Sequence, residues 1–329
     1  MTAGNAQPFA ELDPDRICSA IESIGLIPDG RLLALNSYEN RVWQVGIEGS
    51  EPVIVKFYRP GRWTDASIEE EHRFTQELAS AGVSVVAPRD IDGRTLFHDE
   101  AFRFALFDRR GGHAPELAHK PTLSALGRAL GRIHAVGRAD RFVHRPELTI
   151  DRWGVRARDE LIAGSWIPLQ LAEAFESLTQ HLLDAIRITW DRAGDYRRIR
   201  LHGDCHVGNI LWRDDQAHFV DLDDCVTGPA IQDLWMLIAG ERHEREQQLS
   251  WLLQGYRLFA EFDPRELHLI EPLRCLRMLH HQAWLARRWD DPAFPRAFPW
   301  FEDARHWENI LQQLREQLDE LQQAPLAVD

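Results

Sequence analysis

The chain has 329 residues, of which 44% are hydrophobic, and it carries a formal net charge of −14. This length is sufficient for one large domain or for two lobes. The acidity argues against nucleic acid or an anionic membrane surface as a partner, because both bind basic surfaces. The four cysteines lack CxxC spacing, no apolar run could span a bilayer and the N-terminus lacks a signal pattern, so we expect a cytoplasmic protein with reduced thiols. We also expect a monomer.

The N-terminal part of the sequence predicts a small unit that consists of a helix and roughly five antiparallel strands. A first helix is predicted over residues 14–24, ending before Gly25. Strand patterns cover residues 31–35, 41–45, 52–58, 96–97 and 102–107, and a second helical pattern covers residues 68–80. The polar residues 36–40 form the turn between the first two strands.

Two side chains in this unit have more than one interpretation. Lys56 stands near the end of an almost wholly apolar strand, where it could reach solvent at a sheet edge or be held over a nucleotide phosphate. The acidic run at the start of the second helix suits the helix dipole without any function. Glu71, however, precedes Phe74 and Leu78 on the apolar face, so it is the preferred inward acid, with Glu70 as the second choice.

The pattern changes from strands to helices at residues 108–112, a polar segment with two glycines. We therefore predict two domains, residues 1–108 and residues 109–329. Helical patterns in the second domain cover residues 123–136, 159–163, 169–188, 247–262, 264–289 and 303–323. The predicted fold is α+β, with a small antiparallel-sheet N-lobe and a larger, mainly helical C-lobe.

The most informative stretch is residues 201–224, a polar loop followed by a predicted hairpin that ends in three carboxylates. We expect Asp204, Asn209 and Asp221 to meet around one small volume. Oxygen ligands from Asn209 and Asp221 suit a hard cation such as Mg²⁺. Asp204 is then available to orient an attacking hydroxyl, which is the division of labour that phosphoryl transfer requires.

A metal hydrolase is the alternative for this stretch. Its ligands would be His202, Asp204, His206, Asp221 and Asp223. That alternative gives no role to Asn209, Lys56 or Glu71, whereas a kinase uses all three. In a kinase, the two histidines would support the loop through hydrogen bonds.

Three further features accompany the loop. Asp233 lies at an apolar helix start, where it could hold backbone N–H groups of the loop or cap its own helix. Asp223 is either a second metal contact or a structural acid. Cys205 and Cys225 flank the acids, either as small packing residues or as redox sensors.

The segment from His202 to Leu234 reads H-G-D-x-H-x-x-N, then D-L-D-D, then G-P-x-x-x-D-L. It resembles the aminoglycoside phosphotransferase and choline kinase superfamily, which is related to protein kinases. Other stretches resemble the bacterial stress response kinase A family, namely S-Y-E-N-R at 37–41, V-K-F-Y-R-P at 55–60, E-E-H at 70–72, F-V-D-L-D-D at 219–224 and Q-D-L-W-M at 232–236.

This resemblance implies an ATP- and Mg²⁺-dependent serine/threonine protein kinase that autophosphorylates and acts in the stress response. It implies that Asp204 is catalytic and that Asn209 and Asp221 bind Mg²⁺. It also implies that Lys56 contacts the nucleotide phosphates and pairs with Glu71.

The nucleotide-covering turn departs from that of protein kinases. Ser37, Tyr38, Glu39 and Asn40 stand in place of the glycine-rich loop, so backbone N–H groups and the Ser37 hydroxyl would cover the phosphates. The adenine would lie against residues 104–107, including Phe107. D-L-D-D replaces D-F-G and no A-P-E segment follows, so an activation loop is not expected.

The acceptor stays open at this point. The superfamily's chemistry is equally compatible with a small-molecule kinase for an amino alcohol, homoserine or an aminoglycoside. A non-catalytic nucleotide-binding scaffold is a third possibility, although it would not need all of Lys56, Asp204, Asn209 and Asp221.

Overall fold

The structure is a computed structural model that describes residues 8–328, and it divides into two compact units. The first unit extends to Glu116 and also contains Phe142–Arg145 and His206–Cys225. The second unit contains Leu117–Arg141, Pro146–Cys205 and the chain from Val226 onward. This division differs from a single boundary near residue 108, because two later segments pack with the first unit.

The first unit is built on an antiparallel sheet with the strand order β1-β2-β3-β5-β4. Its strands are β1 (Pro28–Leu35), β2 (Arg41–Ile47), β3 (Val53–Tyr58), β4 (Phe97–His98) and β5 (Arg103–Asp108). The small antiparallel sheet of the predicted α+β fold is thus confirmed. β3 is central in the sheet, with β2 on one side and β5 on the other.

Alternation along β3 separates two layers of side chains, because successive residues of a strand point to opposite faces. Val53, Val55 and Phe57 belong to a buried core that also includes side chains of helix α1 (Pro14–Glu22). Lys56 and Tyr58 point to the other face, where Tyr58 packs in a second cluster. Since β3 has strands on both sides, the sheet-edge interpretation of Lys56 is wrong.

Helix α2 (Asp65–Ser80) begins three residues before the predicted start at residue 68. The hydroxyl of Thr64 accepts a hydrogen bond from the backbone N–H of Ser67 at 3.2 Å and thereby caps the helix. Glu71 is buried in this helix, together with the apolar Phe74 and Leu78 that predicted its inward face.

A hairpin of β7 (Ile210–Arg213) and β8 (Gln216–Phe219) completes the first unit. Asp214 and Asp215 both have positive φ angles, 50° and 56°, as a tight two-residue turn of type I′ requires. The hairpin is attached to the first unit through β-bridges at Trp212 and Phe219. Its position depends on backbone hydrogen bonds rather than on side-chain packing alone.

The second unit is mainly helical, as predicted. Its helices are α3 (Lys120–Gly137), a π-helical turn (Asp151–Val155) that leads into α4 (Arg156–Ala163), α5 (Leu169–Arg192), α6 (Gln232–Trp235), α7 (Arg242–Tyr256), a 3-10 turn (Pro264–Leu269) before α8 (Ile270–Arg288), α9 (Ala293–Ala297) and α10 (Ala304–Glu320). Helices α3 and α7 approach closely: a Cβ atom on Gly127 would overlap the carbonyl oxygen of Leu252, and one on Gly255 would overlap that of Ser124.

Two helix bounds differ from the predicted ones for identifiable reasons. α7 begins before residue 247 because Glu241 and Glu244 form a reciprocal capping box. The helix predicted from residue 264 starts as a 3-10 turn, whose first residue is Pro264. No helix within residues 8–328 combines the length and the apolar character that crossing a bilayer demands.

A two-stranded ribbon of β6 (Arg198–Leu201) and β9 (Val226–Pro229) lies in the second unit. Leu201 pairs with Val226, so the chain leaves the ribbon at Leu201 and returns to it at Val226. The stretch that carries the predicted chemistry therefore has both of its ends attached to one ribbon.

Candidate active site

Lys56 is buried in the first unit and forms ion pairs with two carboxylates. Its Nζ lies 2.8 Å from Oδ1 of Asp221 and 3.3 Å from Oδ1 of Asp223. Burial opposes the charge, but Asp221, Asp223 and Glu71 together hold the pKa of Lys56 well above its ordinary value. The ammonium is therefore charged at neutral pH and lies among acids that suit a metal-phosphate site.

The ion pair between Lys56 and Glu71 that the resemblance implies is not formed in this structure. Among the residues that the structure describes, Lys56 pairs with Asp221 and Asp223 instead. Glu71 is 3% exposed, and burial raises its pKa to about 7 against the opposing charge of Lys56. Its Oε2 atom has no hydrogen-bond partner in the described part of the chain. The helix acid thus acts on Lys56 through its charge and not through direct contact.

Glu70, the second choice for that role, has a structural task. Its carboxylate accepts hydrogen bonds from the backbone N–H groups of residues 143–145 at 2.6, 2.7 and 2.7 Å. The segment Phe142–Arg145 is thereby attached to α2 within the first unit. Among the residues that the structure describes, Lys56 pairs with Asp221 and Asp223 and not with Glu70.

Arg145 belongs to the same segment and was not found by sequence reasoning. Its guanidinium donates to the backbone carbonyl oxygens of Cys225, at 3.1 Å, and of Asp223. It also lies over the Trp63 ring, 4.0 Å from the centroid. Arg145 therefore fixes the backbone around the third acid of the D-L-D-D motif. An isolated arginine in a loop gives no sequence signal for such a contact.

Asp223 is the centre of this charge cluster and is 2% exposed. Besides Lys56, it pairs with Arg62 and accepts a hydrogen bond from Nδ2 of Asn40 at 3.1 Å. Burial disfavours its charge, but Lys56, Arg62 and Arg145 outweigh burial and hold the pKa of Asp223 well below its ordinary range. These contacts fit a structural acid, and a contact of Asp223 with a metal stays a prediction.

The predicted nucleotide-covering turn is held by side chains instead of glycines. Nε of Arg59 donates to the carbonyl oxygen of Glu39 at 2.8 Å, and its Nη2 donates to that of Tyr38 at 3.1 Å. The side-chain oxygen of Asn40 accepts from the backbone N–H of Arg59 at 3.0 Å. Ser37 is partly exposed at the start of the turn. Its contact with phosphates stays a prediction.

Arg62 connects this turn to the acids after the hairpin. Its guanidinium forms ion pairs with Asp223 and Asp224, and its Nε lies 3.6 Å from Oε1 of Glu39. Burial opposes the charge, but Asp224, Asp223 and Glu39 hold the pKa of Arg62 above its ordinary value. Sequence reasoning missed this residue, since nothing in a loop arginine indicates which distant acids it will meet.

Asn209 and Asp221 lie at the same end of the β7–β8 hairpin. The backbone N–H of Val220 donates to the carbonyl oxygen of Asn209 at 3.0 Å. Asn209 is thus joined by its backbone to the residue directly before Asp221. Asp221 adopts the left-handed conformation with φ 58°, and its side chain is 51% exposed. Carboxylate and amide oxygens are ligand types that fit Mg²⁺, which keeps further positions for phosphate and water. Binding of the ion by Asn209 and Asp221 stays a prediction.

The two histidines of the alternative metal hydrolase have structural surroundings. Within residues 8–328, no group of three or more His, Cys, Asp or Glu side chains is arranged to hold a metal ion. His206 instead accepts a hydrogen bond through Nδ1 from the backbone N–H of Gly208 at 3.0 Å, and His202 is fully buried. Both histidines are thus part of the loop's structure.

In the second unit, Asp233 holds the start of the loop. Its carboxylate accepts hydrogen bonds from the backbone N–H groups of His202, at 2.9 Å, and Gly203, at 2.8 Å. It also contacts Nε2 of the buried His134 at 3.0 Å. Gly203 has φ 87°, a conformation that favours glycine. These are the hydrogen bonds that the sequence predicts for Asp233, and they fix the backbone directly before Asp204.

Asp204 itself is partly accessible, with 25% of its side chain exposed. Its Oδ1 accepts a hydrogen bond from Nη1 of Arg277, which lies on α8 in the same unit. Sequence reasoning missed this contact because Arg277 lies in a long amphipathic helix with several other arginines.

The remaining predicted residues have packing environments. Phe107 packs in the cluster of Tyr58 and Ile68, so its contact with adenine stays a prediction. Cys205 and Cys225 are fully buried, and burial raises the pKa of both thiols well above the ordinary value. Because the thiolate is the reactive form, this favours packing over redox sensing.

Several known proteins have sequences related to that of this chain. The phosphotransferase enzyme family matches residues 31–270. Stress response kinase A of Escherichia coli strain K12 is 44% identical over 322 residues, covering 98% of this chain and 97% of the relative. A protein of Salmonella typhimurium strain LT2, named serine/threonine protein kinase RdoA, is 42% identical over 322 residues with the same coverage.

Among solved structures, that of amicoumacin kinase hAmiN in complex with AMP-PNP, Ca²⁺ and Ami superposes with a TM-score of 0.68 at 19% identity. The match covers 91% of this chain and 90% of that one. The resemblance to the aminoglycoside phosphotransferase superfamily and the stress response kinase A family is confirmed, and so is the kinase-like fold. The chain belongs to the phosphotransferase enzyme family and is a phosphotransferase enzyme.

Proposed function

We propose that this protein is an ATP- and Mg²⁺-dependent serine/threonine protein kinase that autophosphorylates and acts as a cytoplasmic monomer in the stress response. The observation that carries the proposal is the ion-paired cluster of the buried Lys56 and Asp223 with the half-exposed Asp221, next to the hairpin that Asn209 precedes. A phosphoryl-transfer site requires a fixed cation for the phosphates, here Lys56, and hard oxygen ligands for a metal ion, here those of Asn209 and Asp221.

In this proposal each residue has a separate task. Asn209 and Asp221 hold Mg²⁺, which offsets the charge of the phosphates. Lys56 binds phosphate oxygens of ATP and releases Asp221 in exchange. Asp204 positions the acceptor hydroxyl and receives its proton as the oxygen attacks the γ-phosphorus; the bond to the bridging oxygen breaks, and ADP leaves.

A protein acceptor is supported by the names of the relatives, which are a stress response kinase and a serine/threonine protein kinase. The second candidate is a small-molecule kinase for an amino alcohol, homoserine or an aminoglycoside. It is favoured by the fold shared with the amicoumacin kinase, whose complex contains Ami beside the nucleotide analogue.

Labelled ATP distinguishes the two candidates. The purified protein is incubated with Mg²⁺ and γ-labelled ATP, alone, with a generic protein acceptor and with a panel of small alcohols. We expect label in the protein itself and in the protein acceptor, and none after chelation of the metal. Label in small alcohols alone would favour the second candidate. Asp204→Ala and Asp221→Ala should each abolish transfer while the circular dichroism spectrum is retained; turnover by Asp204→Ala would contradict the proposal.

A further inference from the structure

Arg277 is the arginine of α8 that contacts the predicted catalytic carboxylate. Neighbouring arginines of the helix have other partners: Arg274 pairs with Glu271 at 3.1 Å, and Arg287 pairs with Glu160 at 2.7 Å. Arg277 donates through Nη1 to Asp204 and, within residues 8–328, to no other acceptor. Its Nη2 and Nε donors remain available, and 34% of its side chain is exposed.

This contact is not needed to orient Asp204. The backbone before Asp204 is already held by Asp233, which is buried and accepts hydrogen bonds from two consecutive N–H groups. A partly exposed ion pair adds little stability by comparison. Arg277 therefore needs another explanation.

Arg277 places a positive charge beside the Asp204 carboxylate, where the acceptor would bind. The unused Nη2 and Nε donors can bind a second carboxylate or a phosphate in the bidentate geometry that arginine favours. An ammonium group in the same place would be repelled. The site around Asp204 therefore favours an acceptor whose hydroxyl has an anionic group close by.

We propose that Arg277 is a specificity-determining residue that selects acceptors with an anionic group beside the hydroxyl, here a serine or threonine flanked by acidic residues. The inference rests on the proposed protein kinase function, which it deepens. The exposed ring of His281 follows one helical turn after Arg277 and extends the polar surface that such a segment would meet.

The test uses three peptides of equal length, each with one serine flanked by glutamate, alanine or lysine. Initial rates give kcat/KM, and fluorescence anisotropy gives binding without turnover. The wild type should prefer the glutamate peptide over the alanine peptide, and the lysine peptide should be the poorest. Arg277→Gln should lower kcat/KM and binding of the glutamate peptide by about tenfold or more and leave the alanine peptide within about threefold. For the glutamate peptide, Arg277→Lys should have a kcat/KM between those of the wild type and Arg277→Gln. Arg287→Gln, on the same helix, is the matched control and should behave as the wild type.

Two outcomes would overturn the inference: an equal loss for all three peptides in Arg277→Gln, or no acidic preference in the wild type. Failure of the proposed function is distinguishable from both. If label enters only small alcohols, homoserine replaces the acidic peptide and an amino alcohol without a carboxylate replaces the lysine peptide. Arg277→Gln must then impair homoserine selectively, or the inference fails on its own.

Discussion

Lys56 Nζ lies 2.8 Å from Oδ1 of Asp221, so the proposed phosphate-binding lysine and the proposed metal ligand neutralise each other in this structure. The binding of Mg²⁺ and ATP would replace this ion pair with two others. Asp221 would then pair with the metal ion, and Lys56 with the phosphates. The protein thereby avoids an unpaired charge in either state.

The chain contains two lysines, Lys56 and Lys120, which permits a direct test of the phosphate contact. An ATP analogue with a lysine-reactive acyl phosphate should acylate Lys56, and excess Mg²⁺·ATP should protect it. Lys120 is exposed at the start of α3 and serves as the internal control. Peptide mass spectrometry measures both sites. Equal labelling of both lysines, without protection by ATP, would exclude Lys56 from the nucleotide site.

Asp223→Asn should destabilise the protein far more than Asp224→Asn. Both carboxylates pair with Arg62, but Asp223 is almost fully buried, while 48% of the Asp224 side chain is exposed. Removing the buried charge leaves the buried Lys56 and the largely buried Arg62 with fewer opposing charges, at a cost of about 3–5 kcal/mol, whereas an exposed pair contributes about 1 kcal/mol or less. Urea unfolding followed by tryptophan fluorescence gives both values. Similar losses for the two variants would show that burial of Asp223 is not what stabilises the cluster.

Glu71 should make the stability of the nucleotide-free protein depend on pH. Its folded pKa is about 7, above the ordinary 4.5, so the folded state retains a proton that the unfolded chain has lost between these values. The free energy of unfolding contributed by Glu71 therefore falls as pH rises from 4.5 to 7, by about 3 kcal/mol at most.

Glu71→Gln should remove this part of the pH dependence, because glutamine does not titrate. The measurement is the urea midpoint between pH 5 and 8 for the wild type, Glu71→Gln and the control Glu69→Gln. Glu69 lies on the same helix and is exposed. A Glu71→Gln curve parallel to that of the wild type would contradict the raised pKa.

Glu70→Gln should loosen the segment Phe142–Arg145. The amide presents N–H groups where the carboxylate accepts three backbone donors, so at least one of these donors loses its acceptor. Each unsatisfied buried donor costs about 1–3 kcal/mol. Hydrogen exchange of amides 143–145 should speed up relative to Glu69→Gln. Unchanged protection of these amides would show that Glu70 does not hold the segment.

Sequence reasoning identified the residues whose chemistry and spacing are distinctive. The D-x4-N spacing followed by a hairpin indicated Asp204, Asn209 and Asp221, and the position of Lys56 in an almost wholly apolar strand made it a candidate for a phosphate contact. The partners of these residues were less predictable. Helical periodicity indicated that Glu71 points inward, but it could not show that the lysine would pair with Asp221, because these two residues are 165 positions apart in the chain.

The contacts of three arginines could not be predicted from the sequence either. Arg62 and Arg145 lie in loops, and Arg277 lies on a helix with many charges, so no periodicity marks them. Their contacts with Asp204, Asp223 and Asp224 join positions that are 73 to 162 residues apart in the chain. Such contacts follow from the tertiary fold, which local propensity does not determine.

The first unit is assembled from three separate segments, and this has a consequence for its synthesis on the ribosome. When residues up to Glu116 have emerged, Lys56, Arg62 and Glu70 still lack Asp221, Asp223 and the backbone of residues 143–145. The nascent unit therefore lacks the partners of Lys56, Arg62 and Glu70 until the chain up to residue 225 has been made. A fragment that ends near Glu116 should accordingly be recovered as aggregate or bound to chaperones, although it contains the complete five-stranded sheet.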